Sequence, residues 1–409
     1  MDVLVTVLLV IVIALFFDFT NGFHDTANAM ATSVATGALK PRVAVLISAV
    51  LNLAGAFIST EVAQTISQGI IKEGPGGIEI TPTMIFAGLV GAVIWNLGTW
   101  YLGLPSSSTH ALFGGLIGAA IIGAGFGSVD FGVVLSKVVL PALFSPLVAG
   151  GVALVATFAA YTITKQSRVR GSDRGFRHGQ TVSASLVSLA HGTNDAQKTM
   201  GVITLTLIAA GYQSANTGPQ VWVIAACGLA IGLGTYIGGW RIMRTVGKRI
   251  TDVHPAQGFA AETSSAATIL ISSKLGFALS TTQVTSGAVI GSGLGKRLAR
   301  VHWGVVGKIA LGWVFTLPAA AIVGGLAAWA ASSSQIGLVA VVVLALAASG
   351  LFYFLARRKP VNQHNVNESG ESPAESGADG AGGEADGADG ADGSADLETE
   401  EANAKGGAR

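Results

Sequence analysis

Long apolar runs, separated by short polar segments, dominate the chain. A helix needs about 20 apolar residues to cross a bilayer, and runs near or above that length recur along the sequence. They lie at residues 3–20, 42–60, 83–104, 132–164, 181–211, 221–240, 260–293, 303–330 and 336–356. The first run lacks the basic segment and the small-residue cleavage site of a signal peptide, so we interpret it as a span. The pattern predicts an all-α polytopic membrane protein.

Charged residues in the connecting segments predict the orientation of these spans. Lys and Arg cluster in five segments that the positive-inside rule assigns to the cytoplasm, at 40–42, 165–177, 241–249, 296–300 and 357–359. The segment 61–81 is acidic and should lie outside. Both conditions hold only if 83–127 enters and leaves on the outer side and 260–295 on the inner side. We therefore expect two re-entrant hairpins in a multi-pass cell-membrane protein, with its N-terminus outside and its C-terminal tail in the cytoplasm.

The two predicted hairpins also resemble each other in sequence. Residues 107–114 and Gly118 align without gaps on residues 280–287 and Gly291, and upstream residues 21–28 match residues 191–198 in the same order. The chain therefore reads as two repeats of opposite topology, as in many secondary transporters. We expect a first repeat at 1–165, a basic cytoplasmic loop at 166–180, a second repeat plus a final span at 181–356, and a basic stop with a tail at 357–409.

Composition supports a membrane protein and narrows the search for chemistry. Half of the residues are hydrophobic and only 11% are charged, whereas soluble domains are nearer a quarter charged. The net charge of +1 hides a basic membrane body and an acidic Gly-Ala-Asp tail, which we expect to be disordered. The single cysteine, Cys227, excludes a disulfide framework. Few acids remain in the membrane body, and Asp25 and Asp195 lie in the duplicated motifs.

Each predicted hairpin carries a hydroxyl-rich turn where its second arm begins. The turns contain Ser107, Ser108 and Thr109 in the first copy and Ser280, Thr281 and Thr282 in the second. Serine and threonine commonly cap helix N-termini, and the unpaired N–H groups there attract anions. Two such tips that converge from inverted repeats would bind opposite sides of one tetrahedral oxyanion.

The two Asp motifs place ionisable groups inside apolar spans. Asp25 is flanked by His24 and Asn28, and Asp195 by Asn194 and Lys198. Such groups are costly in hydrocarbon, so we expect them to interrupt the helices and line a cavity. Carboxylate and amide oxygens suit a hard cation such as sodium, while the histidines and carboxylates could instead relay protons.

These residues resemble the duplicated signatures of the inorganic phosphate transporter (PiT) family, in its bacterial and archaeal low-affinity permease branch. The resemblance covers about residues 3–356 and implies phosphate import by cation symport, with no enzymatic activity, no cofactor and no nucleic-acid partner, and a homodimer in the bilayer. It implies phosphate binding by Ser107, Ser108, Thr109, Ser280, Thr281, Thr282 and Gln283. It implies cation binding at two broken helices by Asp25, Asn28, Asn194 and Asp195.

Two positions depart from the sodium-coupled pattern of that family. His24 and Lys198 stand where the pattern has asparagine. A lysine ammonium would occupy a sodium position as a fixed cation, and His24 adds a titratable group. We therefore expect proton coupling, with phosphate carried as a neutral divalent-metal complex. The alternatives are a sodium-coupled phosphate permease or a sulfate permease of the same fold, or a channel. An intramembrane phospho-transfer enzyme is disfavoured because the hydroxyls occur in matched pairs.

Overall fold

The computed structural model describes residues 3–69, 80–167, 172–214, 217–296 and 301–367. The α-helices are α1 Val3–Ala35, α2 Pro41–Gly55, α3 Glu61–Gly69, α4 Pro82–Leu102, α5 Ser108–Ala124, α6 Phe131–Val134, α7 Leu140–Ser167, α8 Ser172–Ala209, α9 Val221–Ile237, α10 Trp240–Arg244, α11 Pro255–Lys274, α12 Thr281–Gly295, α13 Trp303–Ser333 and α14 Gln335–Arg358. The described part of the predicted 166–180 loop is helical from residue 172 onward. The expected tail lies outside the described residues from residue 368 onward, as does most of the acidic segment 61–81, from residue 70.

Five of the described helical segments are long and apolar enough to cross a membrane: Val3–Ala35, Pro82–Leu102, Phe131–Thr164, Trp303–Ser333 and Gln335–Arg358. A sixth candidate is the pair Val221–Ile237 and Trp240–Arg249, which is bent by 60° at its break. Gly238, with φ of 84°, lies at this break and supplies a backbone conformation that other residues rarely adopt. These features confirm the predicted all-α polytopic membrane fold.

The first predicted hairpin is formed by α4 and α5. Gly103 caps the C-terminus of α4 and has a left-handed φ of 67°. Helix α5 begins after Ser107, whose hydroxyl accepts a hydrogen bond from the backbone N–H of His110. The two arms run antiparallel and pack tightly, since a Cβ on Gly115 would meet the carbonyl oxygen of Gly88. This agrees with the predicted Ser-capped tip between two apolar arms.

The second hairpin, α11 and α12, repeats these features. Gly276 is left-handed with φ of 69°, and Ser280 caps α12 by accepting a hydrogen bond from the backbone N–H of Gln283. The caps occupy aligned positions in the two hairpins. The sequence repeat is therefore also a repeat of local structure.

Each hairpin packs against the helix that follows the other hairpin. A Cβ on Gly118 of α5 would lie 1.9 Å from the carbonyl oxygen of Ala321 in α13. The matching Gly291 of α12 would place its Cβ 2.0 Å from the carbonyl oxygen of Gly150 in α7. Because a Cβ cannot approach backbone this closely, the glycines permit both contacts. The packing thus reproduces the duplication and interlocks the two repeats.

The helices that carry the Asp motifs are continuous, which differs from the expected interruption at those motifs. Helix α1 runs through Asp25 and α8 runs through Asp195. Neither motif contains proline, and their polar side chains form hydrogen bonds with one another and with the tips. The backbone N–H and C=O groups therefore keep their helical hydrogen bonds. The chain breaks instead at the two hairpin tips and at Gly238.

Candidate functional site

Asp25 is fully buried in α1 and contacts both hairpin tips. Ser108 of the first tip donates a hydrogen bond to Oδ2 at 2.8 Å, and Thr282 of the second tip donates to Oδ1 at 2.9 Å. Nδ1 of His24 lies 2.7 Å from Oδ1. One carboxylate therefore links α1 to the N-terminal ends of α5 and α12.

His24 continues the polar contacts away from Asp25. Its Nε2 lies 3.3 Å from the Thr99 hydroxyl and 3.5 Å from the Ser106 hydroxyl, and Ser106 donates to Thr99 at 2.8 Å. All four side chains are buried. An imidazole that contacts a carboxylate on one side and hydroxyls on the other can accept and pass on a proton.

Asp195 is the counterpart of Asp25 and has more polar contacts. The groups around its carboxylate are an ammonium, two amides, an imidazole and a hydroxyl. They are Lys198 at 2.5 Å and Asn194 at 2.7 Å from Oδ1, and Asn21 at 3.3 Å, His191 at 3.1 Å and Thr281 at 3.1 Å from Oδ2. The fully buried Lys198 compensates the charge of Asp195 directly. Because a buried ion pair loses its solvation, such pairs persist where further hydrogen bonds satisfy both groups.

The contacts between motifs and tips follow an approximate two-fold symmetry. Three residues after its aspartate, α1 carries Asn28, whose amide donates to Thr282 at 2.9 Å. Three residues after its aspartate, α8 carries Lys198, which donates to Thr109 at 2.6 Å. Thr109 and Thr282 hold aligned positions in the two tips. The amide and the ammonium thus play equivalent structural parts, with different charge.

The two tips also touch each other. The carbonyl oxygen of Leu279, in the irregular stretch before α12, accepts hydrogen bonds from Thr109 at 3.2 Å, Asn194 at 2.9 Å and Lys198 at 3.1 Å. Ser107 and Ser280 use their hydroxyl oxygens as helix caps, so their contribution to a ligand would be as donors. The thirteen predicted site side chains are all buried and lie at or next to this meeting point.

Three groups near the meeting point could hold a cation. A carboxylate oxygen from each of Asp25 and Asp195 and a ring nitrogen of His191 lie within 4.8 Å of one another. The side-chain oxygens of Asn28 and Gln283 are buried and have no hydrogen-bond partner among the described residues. Mixed carboxylate, amide and imidazole donors suit sodium or a divalent metal, and the converging N-termini of α5 and α12 favour an anion.

Sequence reasoning missed several residues of this site. Oδ1 of Asn52, in α2, lies 3.0 Å from Nδ1 of His191, and the Asn52 amide donates a hydrogen bond to Thr235 at 2.8 Å. The only sequence feature that could have indicated Asn52 is its position as a lone asparagine in an apolar helix. No sequence feature could have indicated the Leu279 carbonyl, because every residue has a backbone carbonyl.

Glu262 of α11 forms a second buried acidic centre that motif comparison missed. Thr32 and Ser33 each donate to its Oε1 at 2.6 Å, Gln180 donates to the same oxygen at 3.3 Å, and Ser183 donates to Oε2 at 2.5 Å. The carboxyl thereby joins the second hairpin to α1 and α8.

Comparison with known proteins agrees with this geometry. The sequence pattern of the phosphate transporter family matches residues 21–172 and again 163–324. A "Probable low-affinity inorganic phosphate transporter" of Mycobacterium leprae is 52% identical over 90% of this chain and 89% of its own length. A Bacillus subtilis protein of the same description is 42% identical over 80% of this chain and 98% of its own length. A solved structure described as a sodium-dependent phosphate transporter superposes with a TM-score of 0.67 at 25% identity, covering 80% of this chain and 98% of that chain.

Proposed function

The chain belongs to the phosphate transporter family, a family of transporters rather than enzymes, and on that basis we propose that it imports inorganic phosphate by alternating access. The observation that carries the proposal is the meeting of two Ser/Thr tips from inverted repeats on two buried aspartates. A phosphate that enters between the tips would replace the contacts of Ser108 and Thr282 with Asp25. The tip hydroxyls and the helix N-termini would then bind the phosphate oxygens.

Substrate binding is assigned to the seven tip residues: Ser107, Ser108, Thr109, Ser280, Thr281, Thr282 and Gln283. Binding phosphate there requires relief of the repulsion from Asp25 and Asp195. Protonation of a carboxylate, or a cation shared with it, supplies that relief. Transport of the anion and of the coupling ion are therefore linked through the same two carboxylates.

The proposed coupling ion is the proton. Lys198 corresponds in position to Asn28 of the first repeat, and its ammonium already pairs with the Asp195 carboxylate. His24 bridges Asp25 to the Thr99 and Ser106 hydroxyls, which provides a route for a proton. Carriage of phosphate as a neutral divalent-metal complex fits the Asp25, His191 and Asp195 group, because the metal of the complex could contact those three residues.

Sodium coupling is the second candidate. The solved relative is described as sodium-dependent, and Asp25, Asn28, Asn194 and Asp195 offer the oxygen ligands that sodium prefers. In this version the Lys198 ammonium would have to leave Asp195 before sodium could bind there.

Uptake of labelled phosphate into proteoliposomes tests the proposal. We expect uptake to persist in sodium-free buffer, to rise with external acidity and to withstand excess sulfate. Asp25→Asn and Asp195→Asn should each abolish coupled uptake, while Asp252→Asn at an exposed position should leave it unchanged. Uptake that vanishes without sodium would establish the second candidate. Full uptake in both buried-site variants would refute the assigned coupling role.

A further inference from the structure

Helix α1 carries a second buried carboxyl besides Asp25, that of Asp18. It stands seven residues, or about 10 Å along the helix axis, before Asp25. Asp18, Asn21, Asp25 and Asn28 follow one another at intervals of three and four residues and so occupy one face of α1. Asn21 bonds to Asp195 and Asn28 to Thr282, which shows that this face points into the site.

Among the residues that the structure describes, Asp18 differs from the other buried acids in having no hydrogen-bond partner. Neither of its oxygens is paired with a described group, although the side chain is fully buried. The Thr199 hydroxyl of α8 lies near the Asp18 carboxyl and would stabilise its charged form. The two side chains are nevertheless not placed for a hydrogen bond with each other. An ionised carboxylate in this setting would bear a full desolvation cost, whereas a protonated one would bear far less.

The charged groups that act on Asp18 link it to the transport site. Among the described residues they are Asp195 and Lys198 of α8. The buried, uncharged thiol of Cys227 in α9 is a further titratable group near Asp18. A negative charge on Asp18 would repel Asp195 and attract Lys198. Loss of that charge on protonation would therefore favour the pairing of Lys198 with Asp195.

The repeat indicates that the fold itself does not need this carboxyl. Ser188 stands seven residues before Asp195, as Asp18 stands seven residues before Asp25. Ser188 is buried too, and its hydroxyl donates to Ser48 and to the carbonyl oxygen of Ala184. A carboxyl without partners, at a position that its counterpart fills with a satisfied hydroxyl, has a role other than packing.

We propose that Asp18 binds one of the protons that enter with phosphate. It takes up the proton when the N-terminal half of α1 is open to external water, holds it as a neutral acid while the helices are closed, and releases it when the site opens to the cytoplasm. The inference rests on the proposed phosphate transport and adds a proton site beyond His24, Asp25 and Asp195.

The test is the proton-to-phosphate stoichiometry in proteoliposomes whose membrane potential is clamped at zero. Each coupled proton changes the equilibrium accumulation of phosphate tenfold per pH unit across the membrane. Asp18→Asn, a neutral isostere, should lower accumulation about tenfold at a gradient of one pH unit while phosphate exchange continues. Asp18→Ser, which copies Ser188, should behave in the same way, and Asp18→Glu should keep the wild-type stoichiometry.

The outcomes distinguish a failure of the Asp18 proton site from a failure of the proposed phosphate transport. Wild-type accumulation in either neutral variant would overturn the role of Asp18 and leave phosphate transport standing. If neither neutral variant folds, Asp18→Glu decides the question through the pH midpoint of its uptake profile. An unchanged midpoint would overturn the proposal, and a displaced midpoint at unchanged steepness would support it. Absence of phosphate exchange in the wild-type protein would instead refute the proposed function itself.

Discussion

Replacing Lys198 by asparagine should convert the second half of the site to the chemistry of the first. Lys198 is fully buried and donates to Asp195, Thr109 and the Leu279 carbonyl. Removal of one partner of a buried ion pair costs about 3–5 kcal/mol, because the remaining charge stays buried and unpaired. In sodium-free buffer we therefore expect Lys198→Asn to unfold at a lower temperature than the wild type.

Sodium should then restore part of the folding stability that Lys198→Asn loses. The new amide oxygen and the freed Asp195 carboxylate provide two of the ligands that sodium needs. Sodium at about 100 times its dissociation constant would restore about 2.7 kcal/mol. With an unfolding entropy of about 2.1 cal/mol/K per residue, this is about 4 °C for a body of roughly 350 residues.

Thermal unfolding of the purified protein in sodium or choline chloride measures the effect, with phosphate uptake in the same buffers as the functional counterpart. Lys198→Met is the matched control, since it removes the charge without adding an oxygen ligand. It should be destabilised in both salts. Equal sensitivity of Lys198→Asn and Lys198→Met to sodium, or a sodium-stabilised wild-type protein, would refute the reasoning.

Two further substitutions test the packing and the second acidic centre. Gly118→Ala would drive a Cβ to 1.9 Å from the carbonyl oxygen of Ala321 and should prevent recovery of folded protein on size-exclusion chromatography. Gly151→Ala, on an open face of α7, should elute as the wild type does, and equal recovery of both would contradict the contact. Glu262→Gln keeps the side-chain volume but replaces one carboxyl oxygen, a hydrogen-bond acceptor, by an amide NH₂, a donor. Because four donors surround this side chain, thermal unfolding should show a loss of about 1–3 kcal/mol of folding stability. An unchanged unfolding temperature would mean that these hydroxyls reorient without cost.

Much of the site was predictable from the sequence because its signals are local. Hydropathy identified the spans, and the repeated motifs identified Asp25 and Asp195 together with the Ser/Thr tips. A serine after an apolar arm predicts a helix cap wherever the helix packs, and both Ser107 and Ser280 are caps. Local rules failed where the Asp motifs were expected to interrupt their helices, because polar neighbours from other helices satisfy those side chains.

The sequence by itself determined the membrane class, the duplication and the identities of most side chains of the candidate site. Only the tertiary structure decided that Thr282 of the second repeat reaches Asp25 of the first, and that Lys198 reaches across to Thr109. It alone distinguished Asp18, which has no hydrogen-bond partner in the described part of the chain, from Glu262, which has four. The physical reason is that burial and hydrogen-bond partners arise from contacts between helices far apart in the chain, which periodicity along one helix does not specify.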